Sequence, residues 1–271
     1  MRPEAPRVLI TGGGSGIGRA LAIEVGRSGA RVAICGRRPE ALLETARLMP
    51  LPDEVVTIPA DLTDAAGRAG VIARLASGWG ALDVLVNNAG IVEGGAHEEL
   101  DDEATARMLA TNVLGPMALT RAAFPLLKAS GSARVVNIGS VFGDIAYPQF
   151  AAYSASKFAL RGFSSALARE WHAHGIAVTY AAPRATRTSA ASAFSALIAK
   201  GGMTLDDPET VARRIWTAVR SGRPRVYPTG PERLFILIQN LFPSLVDRAL
   251  SLVPDQSSAH GQATAATVKD H

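Results

Sequence analysis

Six short apolar runs punctuate the chain: RVLIT (7–11), RVAIC (31–35), EVVTI (54–58), LDVLV (82–86), ARVVNIG (133–139) and IAVTYAA (176–182). They are rich in β-branched residues and show little polar alternation, the pattern of strands buried on both faces of a sheet. Between them lie stretches rich in Ala, Leu, Arg and Glu at 16–27, 40–48, 64–77, 103–129 and 152–173, which read as helices. Strand and helix in regular alternation predict an α/β fold, a doubly wound parallel sheet flanked by helices with right-handed crossovers. In such sheets ligands bind beyond the carboxyl ends of the strands, so the residues just after each strand are the candidates for function.

With 271 residues and 48% hydrophobic content, the chain can bury one substantial core without staples. A domain at 1–230 is expected, followed by an amphipathic helical segment at 231–253 and a polar tail at 254–271. Disorder, collagen and coiled-coil architectures are excluded. Cys35 is the single cysteine, and no C-x-x-C is present, so a structural zinc or disulfide framework is ruled out and a reducing compartment fits. The N-terminus enters a strand without an export-like apolar segment, and a cytoplasmic protein is expected. A formal charge of +4 is dispersed along the chain, without the basic patch and interleaved aromatics that nucleic acid requires.

Four of the post-strand segments carry unusual residues. The first is Thr11-Gly12-Gly13-Gly14-Ser15-Gly16-Ile17-Gly18, where glycines let the backbone approach a pyrophosphate at the positive end of the following helix. In isolation the loop could equally be a glycine-rich turn with no ligand. The second strand ends at Gly36-Arg37-Arg38, where an acidic residue against the ribose hydroxyls would suit NAD. Two guanidinium groups there favour a 2′-phosphate, hence NADP(H) over NAD(H), unless both are simply solvated. Asp61 and Leu62 follow the third strand and could meet an adenine, although Asp61 could instead cap the next helix, a job for which Asp64 competes. Asn87-Asn88-Ala89-Gly90 follows the fourth strand, Asn112 lies in the next helix, and Ser140 ends the fifth strand. Tyr153 and Lys157 sit at i and i+4 on one helix face, where an ammonium can stabilise a phenolate.

These motifs, in this order and spacing over about residues 7–220, resemble the short-chain dehydrogenase/reductase superfamily in its standard single-domain length. The resemblance implies a Rossmann-type fold and a carbonyl/alcohol oxidoreductase. Tyr153 would exchange a proton with the substrate oxygen, Lys157 would depress the Tyr153 pKa and hold the nicotinamide ribose, and Ser140 would hydrogen-bond the same oxygen. Asn112 would hold a water linking Lys157 to solvent; on its own it could be a helix-interior hydrogen bonder. The nucleotide would be held by Gly12, Ser15, Gly16, Ile17, Gly18, Arg37, Arg38, Asp61, Leu62, Asn88, Ala89 and Gly90, with Tyr153, Lys157, Pro183 and Thr188. A homodimer or homotetramer is implied as well. Where the family has Pro-Gly after the sixth strand this chain has Pro183-Arg184, so Arg184 either turns away from the site or reaches into it toward an anionic substrate group.

Residues 189–205 fall where the family has its substrate lid, and Phe194, Leu197 and Ile198 could roof an apolar substrate or pack onto the core. The five histidines, His97, His172, His174, His260 and His271, lack ligand spacing, and Cys35 reads as a strand-packing thiol. Residues 231–253 are too interrupted to span a bilayer, but place Leu234, Leu237, Ile238, Leu241 and Leu245 at helical spacing between Arg233 and Arg248. That stripe would pack on its own domain or a sister subunit, or lie peripherally on a membrane and pass an apolar substrate to the lid. The competing function class, a non-catalytic NADP-binding sensor or scaffold, would be expected to lack Tyr153 or Lys157.

Overall fold

The computed structural model describes residues 5–195, Ile198 and 205–251. Seven parallel strands form one sheet: β1 (Arg7–Thr11), β2 (Arg31–Gly36), β3 (Val56–Pro59), β4 (Val84–Asn87), β5 (Arg134–Ile138), β6 (Ala177–Ala181) and β7 (Arg225–Val226), in the order β3-β2-β1-β4-β5-β6-β7. The chain moves outward one way through β1, β2 and β3, then returns past β1 to β4, so the order reverses between β1 and β4. That switch point opens a crevice at the carboxyl ends of the strands. Strand β7 is the element the apolar pattern does not predict, since two edge residues give no periodicity to read.

Alternation along the strands serves both faces. Val8, Ile10, Val32 and Ile34 point into one core, with Leu21 and Val25 of α1 (Gly16–Arg27) and Ile215 and Trp216 of α7 (Pro208–Arg220). Leu9, Ala33, Cys35 and Leu85 point into the other. There they meet Val71 and Leu75 of α3 (Ala65–Trp79), Leu119 and Leu127 of α5 (Gly115–Ala129) and Leu167 of α6 (Ala151–Glu170). Each fully buried aliphatic side chain contributes about 1.5–3 kcal/mol, so the two cores hold the sheet rigid beneath the crevice. Burial pushes the Cys35 thiol up to about 12, consistent with an inert packing residue.

Local chemistry sets the helix ends. Pro39 starts α2 (Pro39–Arg47), Asp64 caps α3 by accepting from the Gly67 N–H at 3.0 Å, and left-handed Gly80 closes α3. The single helix expected over 103–129 is divided: α4 (Asp102–Leu109) passes through a π turn at Ala110–Leu114 before α5 begins. Pro116 has no N–H to offer the carbonyl of Asn112 four residues back, which explains why the α pattern fails there. Similarly, the C-terminal segment is two helices, α8 (Pro231–Leu241) and α9 (Pro243–Ser251), because Pro243 breaks the run after Phe242. Among the described residues no helix is long and apolar enough to cross a membrane. The tail at 254–271 and Leu197 lie outside the described residues.

Candidate active site

The crevice is built on a stitch across the switch point. The buried Thr11 hydroxyl accepts the N–H groups of Asn88 and Ala89, each at 2.9 Å, while the Asn88 amide donates to the carbonyls of Thr11 at 2.9 Å and Gly12 at 3.4 Å. Asn88 therefore shapes the glycine loop with its side-chain N–H groups and also lines the cleft. The adjacent Asn87 donates both of its amide N–H groups internally, to Thr120 at 2.9 Å and to Asn137 at 2.8 Å. A Cβ on Gly18 would lie 2.2 Å from the Gly12 carbonyl oxygen, and Gly12 and Gly16 adopt φ of 64° and 54°. Ser15 enters α1 with no side-chain capping bond, leaving the N–H groups of Gly16, Ile17 and Gly18 to an anion at the positive helix end.

Both arginines flank this cradle. Arg38 Nη2 reaches Ser15 Oγ at 3.5 Å, and Arg37 is exposed and helps draw down the Asp61 carboxyl. Asp61 is held below its ordinary value chiefly by the Thr63 hydroxyl at 2.7 Å and backbone N–H at 2.9 Å. Asp64 takes the capping role, and Asp61 stands exposed beside partly buried Leu62. An open glycine cradle, a helix terminus without a side-chain cap and two nearby guanidinium groups, one of them on Ser15, fit the phosphates of a dinucleotide.

Beyond the cradle, Ser140, Tyr153 and Lys157 converge on one wall of a cleft of about 740 Å³. Ser140 leads a turn at Val141–Gly143 and accepts the Phe142 N–H at 3.2 Å. Its hydroxyl faces the same cleft as the Tyr153 phenol. Lys157, one helical turn after Tyr153, is 5% exposed and donates to the Ile138 carbonyl at 3.3 Å, with Nζ 5.6 Å from the Tyr153 ring centre. Burial lowers the Lys157 ammonium to about 8. Burial also pushes the Tyr153 phenol up to about 12, with the nearby Ser140 hydroxyl pulling it back.

Asn112, in the π turn, is fully engaged by protein: it accepts the Ile91 N–H at 2.9 Å and donates to the Ile91 carbonyl at 2.9 Å and Ser156 Oγ at 3.0 Å. Both N–H groups of its side-chain amide are therefore taken by protein. Gly90 lies beside Asn112 and Lys157, since a Cβ there would meet Asn112 Oδ1 at 3.1 Å and Lys157 Nζ at 3.5 Å.

Several supporting residues carry no motif. Tyr180 of β6 donates to the Ser140 carbonyl at 3.3 Å, and its ring occupies the space that a Cβ on Gly139 would need. Asp144, buried just after the Ser140 turn, binds Arg161 at 3.2 Å and the Tyr227 hydroxyl at 3.0 Å, tying that turn to α6. Phe142, Phe150 and Phe194 form an aromatic cluster against Tyr153, and Ile198 packs on it. Phe194 is thus both core and cleft wall. Pro183 and Thr188 line the cleft too, Thr188 within 3.0 Å of a Cβ placed on Gly16. Arg184 turns to two carboxylates, Asp206 at 2.6 Å and Glu232 at 2.8 Å, which take up its charge. Phe235, Ile238, Leu245 and Val246 close the far end. Among the described residues no group of three or more His, Cys, Asp or Glu could hold a metal.

The family model for short chain dehydrogenases matches residues 6–197, and the chain belongs to that family of oxidoreductases. Dehydrogenase/reductase SDR family member 7B of Bos taurus is 32% identical over 91% of this chain and 77% of its own. A short-chain dehydrogenase from Streptomyces avermitilis has a TM-score of 0.80 at 32% identity, covering 91% of this chain and 96% of its own. A variant of the actinorhodin polyketide ketoreductase, solved with NADPH, has a TM-score of 0.75 at 28% identity, covering 83% and 95%. Solved relatives occur with NADH as well as with NADPH.

Proposed function

We propose that this chain is an NADP(H)-dependent reductase of apolar ketones. The observation that carries the reading is the convergence of Ser140, Tyr153 and Lys157 on the wall of a cleft that runs from the glycine cradle to an apolar far end. The nicotinamide supplies the hydride when bound. Ser140 and Tyr153 present two hydroxyls to one substrate oxygen, stabilising the charge that develops there. A phenol that titrates near about 12 carries its proton at neutral pH, which suits protonation of a newly formed alkoxide. Lys157 and Asn112, with the buried Ser156, hold the floor beneath them, and Lys157 relays the replacement proton.

The preference for NADP(H) rests on Arg37 and Arg38 beside Ser15 and on the lack of an acid at the end of β2. Each charge-assisted bond to a phosphate contributes about 1.5–3 kcal/mol, so at least a tenfold preference is expected. The test is a series of ketones and secondary alcohols of graded chain length, assayed with both cofactors on the wild type and Arg37→Asp. Long apolar ketones with NADPH should give the highest kcat/KM, and Arg37→Asp should erase the cofactor preference. Equal kcat/KM with both cofactors for the wild type would overturn the assignment.

The apolar substrate enters past α8 and α9, whose outer row is left uncovered. A homodimer or homotetramer, or peripheral contact with a lipid surface, would shield that row. A non-catalytic sensor or scaffold is disfavoured by the presence of Tyr153 and Lys157 in mutual contact range.

A further inference from the structure

Arg184, which stands where the family has glycine, is the residue the catalytic reading leaves without a task. Its side chain is 19% exposed and bonds two carboxylates from segments far apart in sequence. Asp206 lies where the chain returns from the lid, and that return is fastened to the loop after β6 by backbone bonds from Arg187 N–H to Asp206 at 2.8 Å and from Asp206 N–H to Ala185 at 2.9 Å. Glu232 lies in the first turn of α8, the helix that brings Phe235 and Ile238 to the far wall of the cleft. One guanidinium therefore holds the lid base and the C-terminal helix pair together.

The backbone at Gly230 is shaped for this contact. Its φ is 155°, and a Cβ there would sit 2.7 Å from Glu232 Oε2 and 3.5 Å from Arg184 Nη1, so glycine is what lets Glu232 fold back onto Arg184. Little else anchors the pair: Ile236 is the only buried residue of α8 and Val246 the only one of α9, while Leu234, Phe235, Leu237, Leu241, Phe242 and Leu245 are each more than half exposed. Two helices with so small a buried contact depend on their few fixed points, and the partly buried, charge-assisted Arg184–Glu232 bond is one.

We propose that Arg184 is a specificity-determining residue that, by latching Glu232, fixes α8 and α9 as the far wall of the cleft and so favours extended apolar substrates over short ones. The kinetic half of this proposal rests on the ketone-reductase reading; the latch does not. Two measurements on Glu232→Ala keep them apart. Hydrogen–deuterium exchange of the full chain, which needs no turnover, should show amides of 231–251 exchanging at least about tenfold faster than in the wild type, with β1 to β6 unchanged. Unchanged exchange at 231–251 would overturn the latch whatever the enzyme reduces. In the ketone series, KM for long-chain substrates should rise about tenfold or more while kcat and the affinity for NADPH stay within twofold. A loss equal for short and long chains, or confined to kcat, would overturn the specificity role. Glu232→Gln, which keeps one hydrogen bond, should fall between, and wild-type values for it in both measurements would show that the charge contributes nothing.

Discussion

At the residue scale, two hydroxyls and one ammonium are asked to work in a wall that burial makes unfavourable for charge. Tyr153→Phe keeps the ring among Phe142 and Phe194 and removes only the proton donor. Turnover should fall at least about a thousandfold while NADPH affinity, followed by fluorescence titration, changes less than threefold; activity within tenfold of wild type would remove Tyr153 from the chemistry. Lys157 supplies a prediction with the opposite sign for stability. Its native pKa of about 8 lies below the ordinary 10.5, so between those values the unfolded chain holds a proton the native protein has lost, and stability rises with pH across that window. Below pH 8 the full cost of burying the ammonium is present, up to about 3 kcal/mol. Lys157→Met should therefore abolish activity yet raise the Tm at pH 7, with the gain shrinking toward pH 10.5. A gain that is the same at both ends of that range would show that charge burial is not its cause. Residue identity made this pair legible in the sequence, because Tyr and Lys at i and i+4 need only a helix to meet. The direction of the Tyr153 shift was not legible, since it depends on burial under Phe142 and Phe194, which come from segments 52 residues apart.

At the element scale, the joint between β1 and α1 carries the nucleotide cradle, and its tolerance is set by backbone approach. Gly18→Ala places a methyl carbon 2.2 Å from the Gly12 carbonyl oxygen and 2.4 Å from the Asn88 amide, neither of which can withdraw without breaking the stitch to Thr11. NADPH affinity should drop at least about tenfold and the Tm should fall with it. A wild-type dissociation constant would mean that the loop can open at little cost. Elements with strong apolar runs were legible for a simple reason: a strand buried on both faces has no polar position, and RVLIT and LDVLV each continue as parallel neighbours of one another. Three features were not. The π turn at Ala110–Leu114 hides inside a helical composition, and only the coincidence of Asn112 with Pro116 four residues later signals it. The two amides Asn87 and Asn88 stand out because a strand end seldom needs them, and the N–H groups of both help hold β4 to β1 and β5. Tyr180 supports Ser140 from a neighbouring strand, a relation fixed by the β5–β6 register and by Gly139, and no local pattern announces it.

At the scale of the whole molecule, the cleft joins two halves of unequal security. The cradle and the catalytic wall rest on a sheet with a core on each face, whereas the far wall is a helix pair with six large apolar side chains more than half exposed. Exposed apolar clusters of this kind mark surfaces that meet something apolar. The stripe was visible in the sequence as Leu234, Leu237, Leu241 and Leu245 at helical spacing, but its direction was not, because Pro243 folds the segment back on itself and leaves only Ile236 and Val246 of the two helices buried. Truncation after Gly230 should therefore separate the two halves. The shortened chain should fold, bind NADPH with unchanged affinity and keep its activity on the smallest ketones, since the cradle and Ser140, Tyr153 and Lys157 are untouched. Its KM for long-chain ketones should rise about tenfold or more, because Phe235, Ile238, Leu245 and Val246 are gone from the cleft. Gel filtration and co-sedimentation with vesicles of anionic phospholipid, run on both chains, identify what covers the outer row: a drop in oligomeric state on truncation assigns it to a sister subunit, and a loss of vesicle binding assigns it to lipid. A truncated enzyme with unaltered kinetics on long-chain substrates, unaltered size and unaltered vesicle binding would show that the segment serves none of these purposes.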